Sequence, residues 1–316
     1  MEFLGAIEVF LEMGLIFSVL AMGYYVSYTI LDFPDLTVEG TFLTGGVVFG
    51  LFVAWGLNPW LGLVMAFISG CLFGAVTGVL HVKLKIRPLL CGILVSTGLI
   101  TFNLVGVTAG LAGDFRAEST SIISFGREAK TLLDAFFGNL IPVRLTALGN
   151  IPLRQPLIFL CVAAVCKLGL DFYFKTKNGL LLRATGNNEQ YVKMLGVDPG
   201  KSKIIGLAIG NGFAAVSGAL YTHTVNGVNQ SMGLGMVIIG LASLIIGLSV
   251  FKKVRFLKPT TKVILGAVIY QACLVVVQKL GVPSAYNKIV MAVLFTVVLV
   301  FGMGKKKTGG ASHAKA

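Results

Sequence analysis

Nine apolar segments, each about long enough to cross a bilayer, follow one another along the 316-residue chain. A transmembrane helix needs about 20 consecutive, mainly apolar residues. The segments are 6–30, 40–57, 60–80, 89–110, 155–174, 203–224, 234–251, 260–279 and 287–303. Only 12% of the residues are charged, whereas soluble proteins carry about 25%, and one soluble core could not bury so much apolar surface. The pattern predicts an all-α polytopic membrane protein with about nine transmembrane helices.

The distribution of Lys and Arg predicts how these helices are oriented. If the N-terminus lies outside, the inner segments 81–88, 175–202 and 252–259 and the tail 304–316 carry 16 of the 26 basic residues. Basic residues collect in the short cytoplasmic loops of membrane proteins. We therefore expect an N-out/C-in transmembrane domain over 1–303, with 111–154 as an extracytoplasmic loop and 304–316 as a basic cytoplasmic tail.

The same charge distribution argues against other classes of partner and site. The net charge of +13 falls in short clusters between apolar segments, without the basic stripe and interleaved aromatics typical of nucleic-acid binding. The three histidines are far apart, and the cysteines have no paired spacing, so we expect neither a metal site nor a disulfide framework. The five cysteines are Cys71, Cys91, Cys161, Cys166 and Cys273.

The first polar segment, 31–40, holds three acidic residues between the first two apolar segments. Pro34 can end one helix, and Asp35 or Thr37 can cap the next one, which gives an ordinary capped turn. The alternative is a broken helix at membrane depth, where protein or a water-filled cavity satisfies the backbone. Both interpretations stay open, and the polar side chains concerned include Asp35, Thr37 and Glu39.

A second polar segment lies in the predicted cytoplasmic loop 175–202. Asn187 or Asn188 can start a short helix that ends at Gly196, and this helix would present an apolar side. Such a helix fits a groove on a partner protein, although it could instead rest on lipid. The candidate docking residues within 186–196 are Asn187, Asn188, Glu189, Gln190, Tyr191, Met194, Leu195 and Gly196.

The stretch 196–202 is similar to a phosphate-binding loop but is one residue short of that motif. It also follows a helix and leads into an apolar segment, so we expect no nucleotide binding and no cofactor in this chain.

A third segment, 209–247, combines many glycines with a few polar residues. Small residues at such intervals let helices approach closely in a membrane. Asn211 could join helices or line a solute path. Ser217 lies in the same stretch, and Asn229 and Ser231 lie in the polar turn that follows it.

Four stretches together resemble the permeases of the branched-chain amino acid/ribose group of bacterial ABC importers. They are LDFPDLTVEGTF at 31–42, HVKLKIRPLLCGILVSTGL at 81–99, LLLRATGNNEQYVKMLGVDPGKSKIIGLAIGNGFAAVSGAL at 180–220 and VNQSMGLGMVIIGLASLIIG at 228–247. Within that group the chain is most similar to the branch linked to tryptophan/tyrosine uptake.

The resemblance implies a type II-like importer permease fold in the bacterial inner membrane. It implies two ATPase subunits, an extracytoplasmic solute-binding protein and a permease dimer, which we expect to be a homodimer. The family's coupling helix falls on 186–196, and the segments 35–40 and 226–231 lie in the family's most characteristic stretches. The candidates for the solute pathway are Asp35, Thr37, Glu39, Asn211, Ser217, Asn229 and Ser231. ATP hydrolysis would belong to a separate chain, and this chain would be non-catalytic.

Two other classes compete with an importer permease. An ion-gradient-driven secondary transporter is disfavoured because the sequence shows no acid/His chain in the apolar segments and no helix interruptions at matching places in two halves. A membrane scaffold without a transport role leaves the short helix at 186–196 unexplained.

Overall fold

Helices form nearly all of the described chain. The computed structural model describes residues 2–112, 123–124, 154–280 and 286–304. The first half holds α1 (Glu2–Tyr24), which continues as a π-helix (Tyr25–Ile30), then α2 (Thr37–Ala54), α3 (Pro59–Leu84) and α4 (Pro88–Ala112). The second half holds α5 (Arg154–Tyr173), α6 (Lys177–Asn187), α7 (Glu189–Met194), α8 (Pro199–Val225), α9 (Met236–Val250), α10 (Pro259–Lys279) and α11 (Asn287–Gly304). Two short strands, β1 (Ile123–Ser124) and β2 (Gly227–Val228), pair antiparallel.

Eight helical segments within the described residues are long and apolar enough to cross a membrane. The predicted all-α polytopic architecture is therefore confirmed. The ninth predicted segment, 287–303, coincides with α11. Some side chains of α11 are not described, and the count of nine spans stays a prediction. The predicted loop 111–154 falls outside the described residues except for its first two residues, β1 and the first residue of α5, and the tail 305–316 falls outside them entirely.

Two of the long helices begin with the same local chemistry. Pro59 and Pro199 occupy the first helical position, where their missing N–H would have had no partner. Asn58 and Asp198 precede them as N-caps, and their side chains accept hydrogen bonds from the backbone of the first turn. Gly200 and Lys201, which belong to the stretch 196–202 that is similar to a phosphate-binding loop, therefore lie in the first turn of α8.

Helix α8 is the centre of the bundle and packs closely on α1, α2 and α3. Gly218 makes one of its tightest contacts, because a Cβ there would lie 1.8 Å from the carbonyl oxygen of Phe42. The Ser217 hydroxyl donates a hydrogen bond to the Ile16 carbonyl, at 2.8 Å, and fixes α1 against the same helix. The glycines predicted to allow close packing therefore do so around α8.

Two connections interrupt helices inside this bundle. The first is 31–36, where Leu31 packs on Gly206. That contact lies roughly 10 Å along α8 from its first residue, at 1.5 Å per residue. The chain then turns and continues as α2, parallel to α8.

The second interruption is 226–235, between α8 and α9. It begins where α8 ends, yet Gly233 lies against the carbonyl of Glu39 in the first turn of α2. The first turn of α2 lies beside the middle of α8, roughly 20 Å before the end of α8. The start of α2 and the start of α9 therefore meet inside the bundle.

Candidate functional site

The first interruption is a capped turn between the π-helix that ends α1 and the start of α2. Asp35 Oδ1 accepts a hydrogen bond from the backbone N–H of Thr37 at 2.8 Å, which caps the start of α2. Pro34 just before it has no N–H to satisfy. The same turn is recessed into the bundle, and Asp35 is only 2% exposed. The alternative, a broken helix at membrane depth, stays a prediction.

A polar network ties this turn to α8. Asn211 Nδ2 donates to Asp35 Oδ2 at 2.6 Å, and Asn211 Oδ1 accepts from the Thr41 hydroxyl at 2.8 Å. One turn earlier, the hydroxyls of Thr37 and Thr77 are 2.9 Å apart. All five side chains are buried, so water cannot substitute for these bonds. The network joins α2, α3 and α8 at the level of the first interruption.

Glu39 joins the first interruption to the second. Its Oε1 accepts a hydrogen bond from the backbone N–H of Gly235 at 3.0 Å, at the start of α9. The partial positive charge of a helix N-terminus favours an acidic side chain at this position.

A pocket of about 330 Å³ opens beside this contact, between α2, α4 and the 226–235 connection. It is lined by Glu39, Gly40, Leu43, Ser96, Ile100, Asn229, Gln230, Ser231, Gly233 and Leu234. Asn229 and Ser231 form the polar turn at its edge, because Asn229 Oδ1 accepts from both the N–H and the hydroxyl of Ser231.

The predicted pathway residues thus separate into three groups. Asp35, Thr37 and Asn211 meet in the buried network, whereas Glu39, Asn229 and Ser231 meet at the pocket. Ser217 lies apart from both groups and bonds α8 to α1.

Sequence reasoning missed Thr41 and Thr77 in the network and Ser96 at the pocket. Thr41 follows Thr37 by one helical turn, which is a usable signal. Ser96 and Thr77 carry no comparable signal.

The predicted docking helix is α7, and Asn188 is its N-cap. The Asn188 side chain accepts from the N–H of Tyr191 at 3.1 Å, and Gly196 follows the helix with a φ of +73°. Left-handed backbone at this point favours glycine, so Gly196 ends the helix as expected.

The outer side of α7 is apolar and exposed. Tyr191, Met194 and Leu195 are 56%, 83% and 57% exposed, whereas Val192 on the inner side is fully buried. An exposed apolar group of this kind marks an interaction surface more often than a solvated one.

An ion-pair cluster holds α7 against α8. Glu189 contacts Lys193 at 2.9 Å and Lys203 of α8 at 2.7 Å. Hydrogen bonds from Lys203 and then Lys193 lower the pKa of the Glu189 carboxyl to about 2. Glu189 and Lys203 therefore form a direct charged contact between α7 and the central helix α8.

Within the described parts of the chain, no cluster of three or more His, Cys, Asp or Glu side chains could hold a metal ion.

Comparison with known proteins finds a matching family and several similar proteins. The family model described as "Branched-chain amino acid transport system / permease component" matches residues 6–301. A tyrosine transport system permease protein of Clostridioides difficile is 35% identical over 92% of this chain and 88% of its own length. A fructose import permease protein of Bifidobacterium longum is 28% identical over 84% of this chain and 68% of its own. A guanosine ABC transporter permease protein of Bacillus subtilis is 24% identical over 67% and 66%. No solved structure gives a significant match.

Proposed function

Because the chain belongs to the family of branched-chain amino acid transport permease components, we propose that it is the membrane-spanning permease of an ATP-binding-cassette importer for a small solute. The observation that carries this proposal is the family match over residues 6–301, together with eight candidate membrane spans in the described residues. The protein is accordingly a multi-pass protein of the bacterial inner membrane.

The solute proposed here is an amino acid such as tyrosine, delivered by an extracytoplasmic binding protein. The tyrosine permease of Clostridioides difficile supports this choice, since its alignment with this chain is nearly complete on both sides. The fructose and guanosine relatives are less similar and cover less of their own length.

Helix α7 is proposed as the coupling helix that receives the ATPase. Its exposed apolar side would fill a groove on an ATPase subunit, as helix-in-groove contacts do elsewhere. Two ATPases would bind a permease homodimer, one at each α7. Closure of the ATPases would push on Tyr191, Met194 and Leu195, and the Glu189–Lys203 contact would pass the movement to α8. The proposed N-out/C-in orientation would place α7 in the cytoplasm, where ATP is available.

The two interruptions are proposed to form the moving part of the solute pathway. They meet at Glu39, where neither helix continues through the bundle, so the starts of α2 and α9 can shift with little loss of helical hydrogen bonding. The Asp35–Asn211 network would hold the base of α2 to α8 while the pocket beside Glu39 opens or closes. The chain itself performs no bond-making chemistry in this scheme, and the ATPase hydrolyses ATP.

A pair of substitutions on α7 tests the docking assignment. Tyr191→Asp with Leu195→Asp places two charges on the apolar side, and we expect the ATPase to be lost when the permease is purified. The capping residue Asn188 and the buried Val192 are untouched, so the variant should stay monodisperse in size-exclusion chromatography.

The matched control is Leu57→Asp, an exposed apolar residue at the opposite end of the bundle, which should retain the ATPase. Unchanged co-purification of the α7 variant would remove α7 as the coupling helix.

A further inference from the structure

The pocket beside Glu39 has the size of a small-molecule site. Ligand pockets start at about 300 Å³. This one has about 330 Å³ and lies where the starts of α2 and α9 meet. It opens between α2, α4 and the 226–235 connection, where a solute could bind during transport.

Its charge is unbalanced. Glu39 is the one charged side chain among the described residues that line the pocket. One carboxylate oxygen accepts the Gly235 N–H, and the other has no hydrogen-bond partner within the described part of the chain. A carboxylate in partly apolar surroundings gains most from a cation that supplies the missing donor.

The remaining lining is suited to an amphipathic molecule. Leu43, Ile100 and Leu234 provide apolar contact, whereas Asn229 and Gln230 carry amide groups at the other edge. Amide groups can hydrogen-bond a carboxylate or hydroxyl without adding charge. The pocket thus offers one counter-charge, one apolar wall and one neutral polar edge.

We propose that Glu39 binds the ammonium group of the transported solute, and that the pocket takes primary amines with an apolar body, amino acids among them. The proposal rests on the function proposed above and deepens it by naming the substrate class. Sugars and nucleosides are not of this class, because they have no ammonium group to pair with Glu39.

The test measures binding to the full-length permease in phosphatidylcholine nanodiscs, by ligand-observed NMR at millimolar concentration. Three probes share a phenyl group: L-phenylalanine, phenethylamine and 3-phenylpropanoate. Empty nanodiscs correct for partition into lipid. The first two probes carry an ammonium group and should bind, whereas 3-phenylpropanoate should bind at least about tenfold more weakly, as expected for a lost charge-assisted hydrogen bond.

The variant Glu39→Gln isolates the charge, because its side-chain oxygen can still accept from the Gly235 N–H. It should weaken both ammonium probes by about tenfold or more, and it should not weaken 3-phenylpropanoate, whose carboxylate no longer meets a like charge. The control Asp32→Asn removes an exposed acid of the same connection that does not line the pocket. Asp32 has a φ of +53°, which Asn tolerates, so binding should not change.

Three outcomes overturn the proposal: equal binding of all three probes, no effect of Glu39→Gln on the ammonium probes, or no detectable binding of either ammonium probe. The measurement needs neither ATP nor a partner protein. A failure here is therefore distinct from a failure of the importer function, in which the wild-type permease would not co-purify with an ATPase.

Discussion

Removal of the Asn211 side chain tests whether the buried network holds the first interruption in place. Asn211→Ala deletes the donor that lies 2.6 Å from Asp35 Oδ2 and the acceptor that lies 2.8 Å from the Thr41 hydroxyl. Asp35 is 2% exposed and Thr41 is fully buried, so neither group can turn to water.

The expected cost follows mainly from Asp35, because the Thr41 hydroxyl can still donate to the carbonyl of Thr37 or Val38, each at 3.3 Å. A buried polar group left without its partner costs about 1–3 kcal/mol, and a charged one costs more. We expect Asn211→Ala to lower the free energy of unfolding by about 3–4 kcal/mol. Ser217→Ala is the matched control on the same helix, because it removes one neutral hydrogen bond from an equally buried position. It should cost about 0.5–1.5 kcal/mol.

The assay is unfolding in mixed micelles titrated with sodium dodecyl sulfate, with Asp35→Ala and the double variant completing a double-mutant cycle. Because Asp35 and Asn211 share one bond, the double variant should cost about 2 kcal/mol less than the sum of the single variants. If Asn211→Ala costs no more than Ser217→Ala and the cycle is additive within about 0.5 kcal/mol, the network does not hold the interruption.

Two further predictions concern packing and pH. Gly218→Ala places a methyl group against the Phe42 carbonyl and should sharply reduce the yield of monodisperse protein in size-exclusion chromatography. The control Gly98→Ala, where nothing lies within 4 Å of the added methyl group, should match the wild type. Equal yields of the two variants would contradict the close contact between α2 and α8. For Glu189, the pKa is lowered from 4.5 to about 2, so its stabilising effect is complete above pH 4.5 and is lost as the pH falls towards 2. Its side chain is 39% exposed, and solvent screening limits the effect to under about 1 kcal/mol. The difference in unfolding free energy between the wild type and Glu189→Gln should therefore be constant above pH 5 and shrink between about pH 4.5 and 2, and a difference that does not vary with pH would refute the ion-pair account.

Local chemistry made much of this fold predictable from the sequence. The lengths of the apolar segments predicted the long helices. Capping rules identified Asn188 as a candidate for the start of α7 and Gly196 as its end. These features depend on residues a few positions apart, so a single sequence contains the necessary information.

The interior of the bundle was less predictable, because it depends on residues far apart in the chain. Asp35 is bonded to Asn211, and Glu39 to Gly235, over separations that no local pattern reports. The depth of the two interruptions follows from these pairings. The predicted segment 234–251 matches α9, but its length did not reveal that α9 begins inside the bundle.

The account depends most on the source of energy for transport, and one measurement addresses it. The permease is reconstituted in proteoliposomes with its ATPase and binding protein, and uptake of the solute that the binding protein carries is followed with and without ATP. We predict uptake that requires hydrolysable ATP and does not change when sodium and proton gradients are collapsed. Uptake driven by an ion gradient in the absence of ATP would contradict the importer function and favour a secondary transporter.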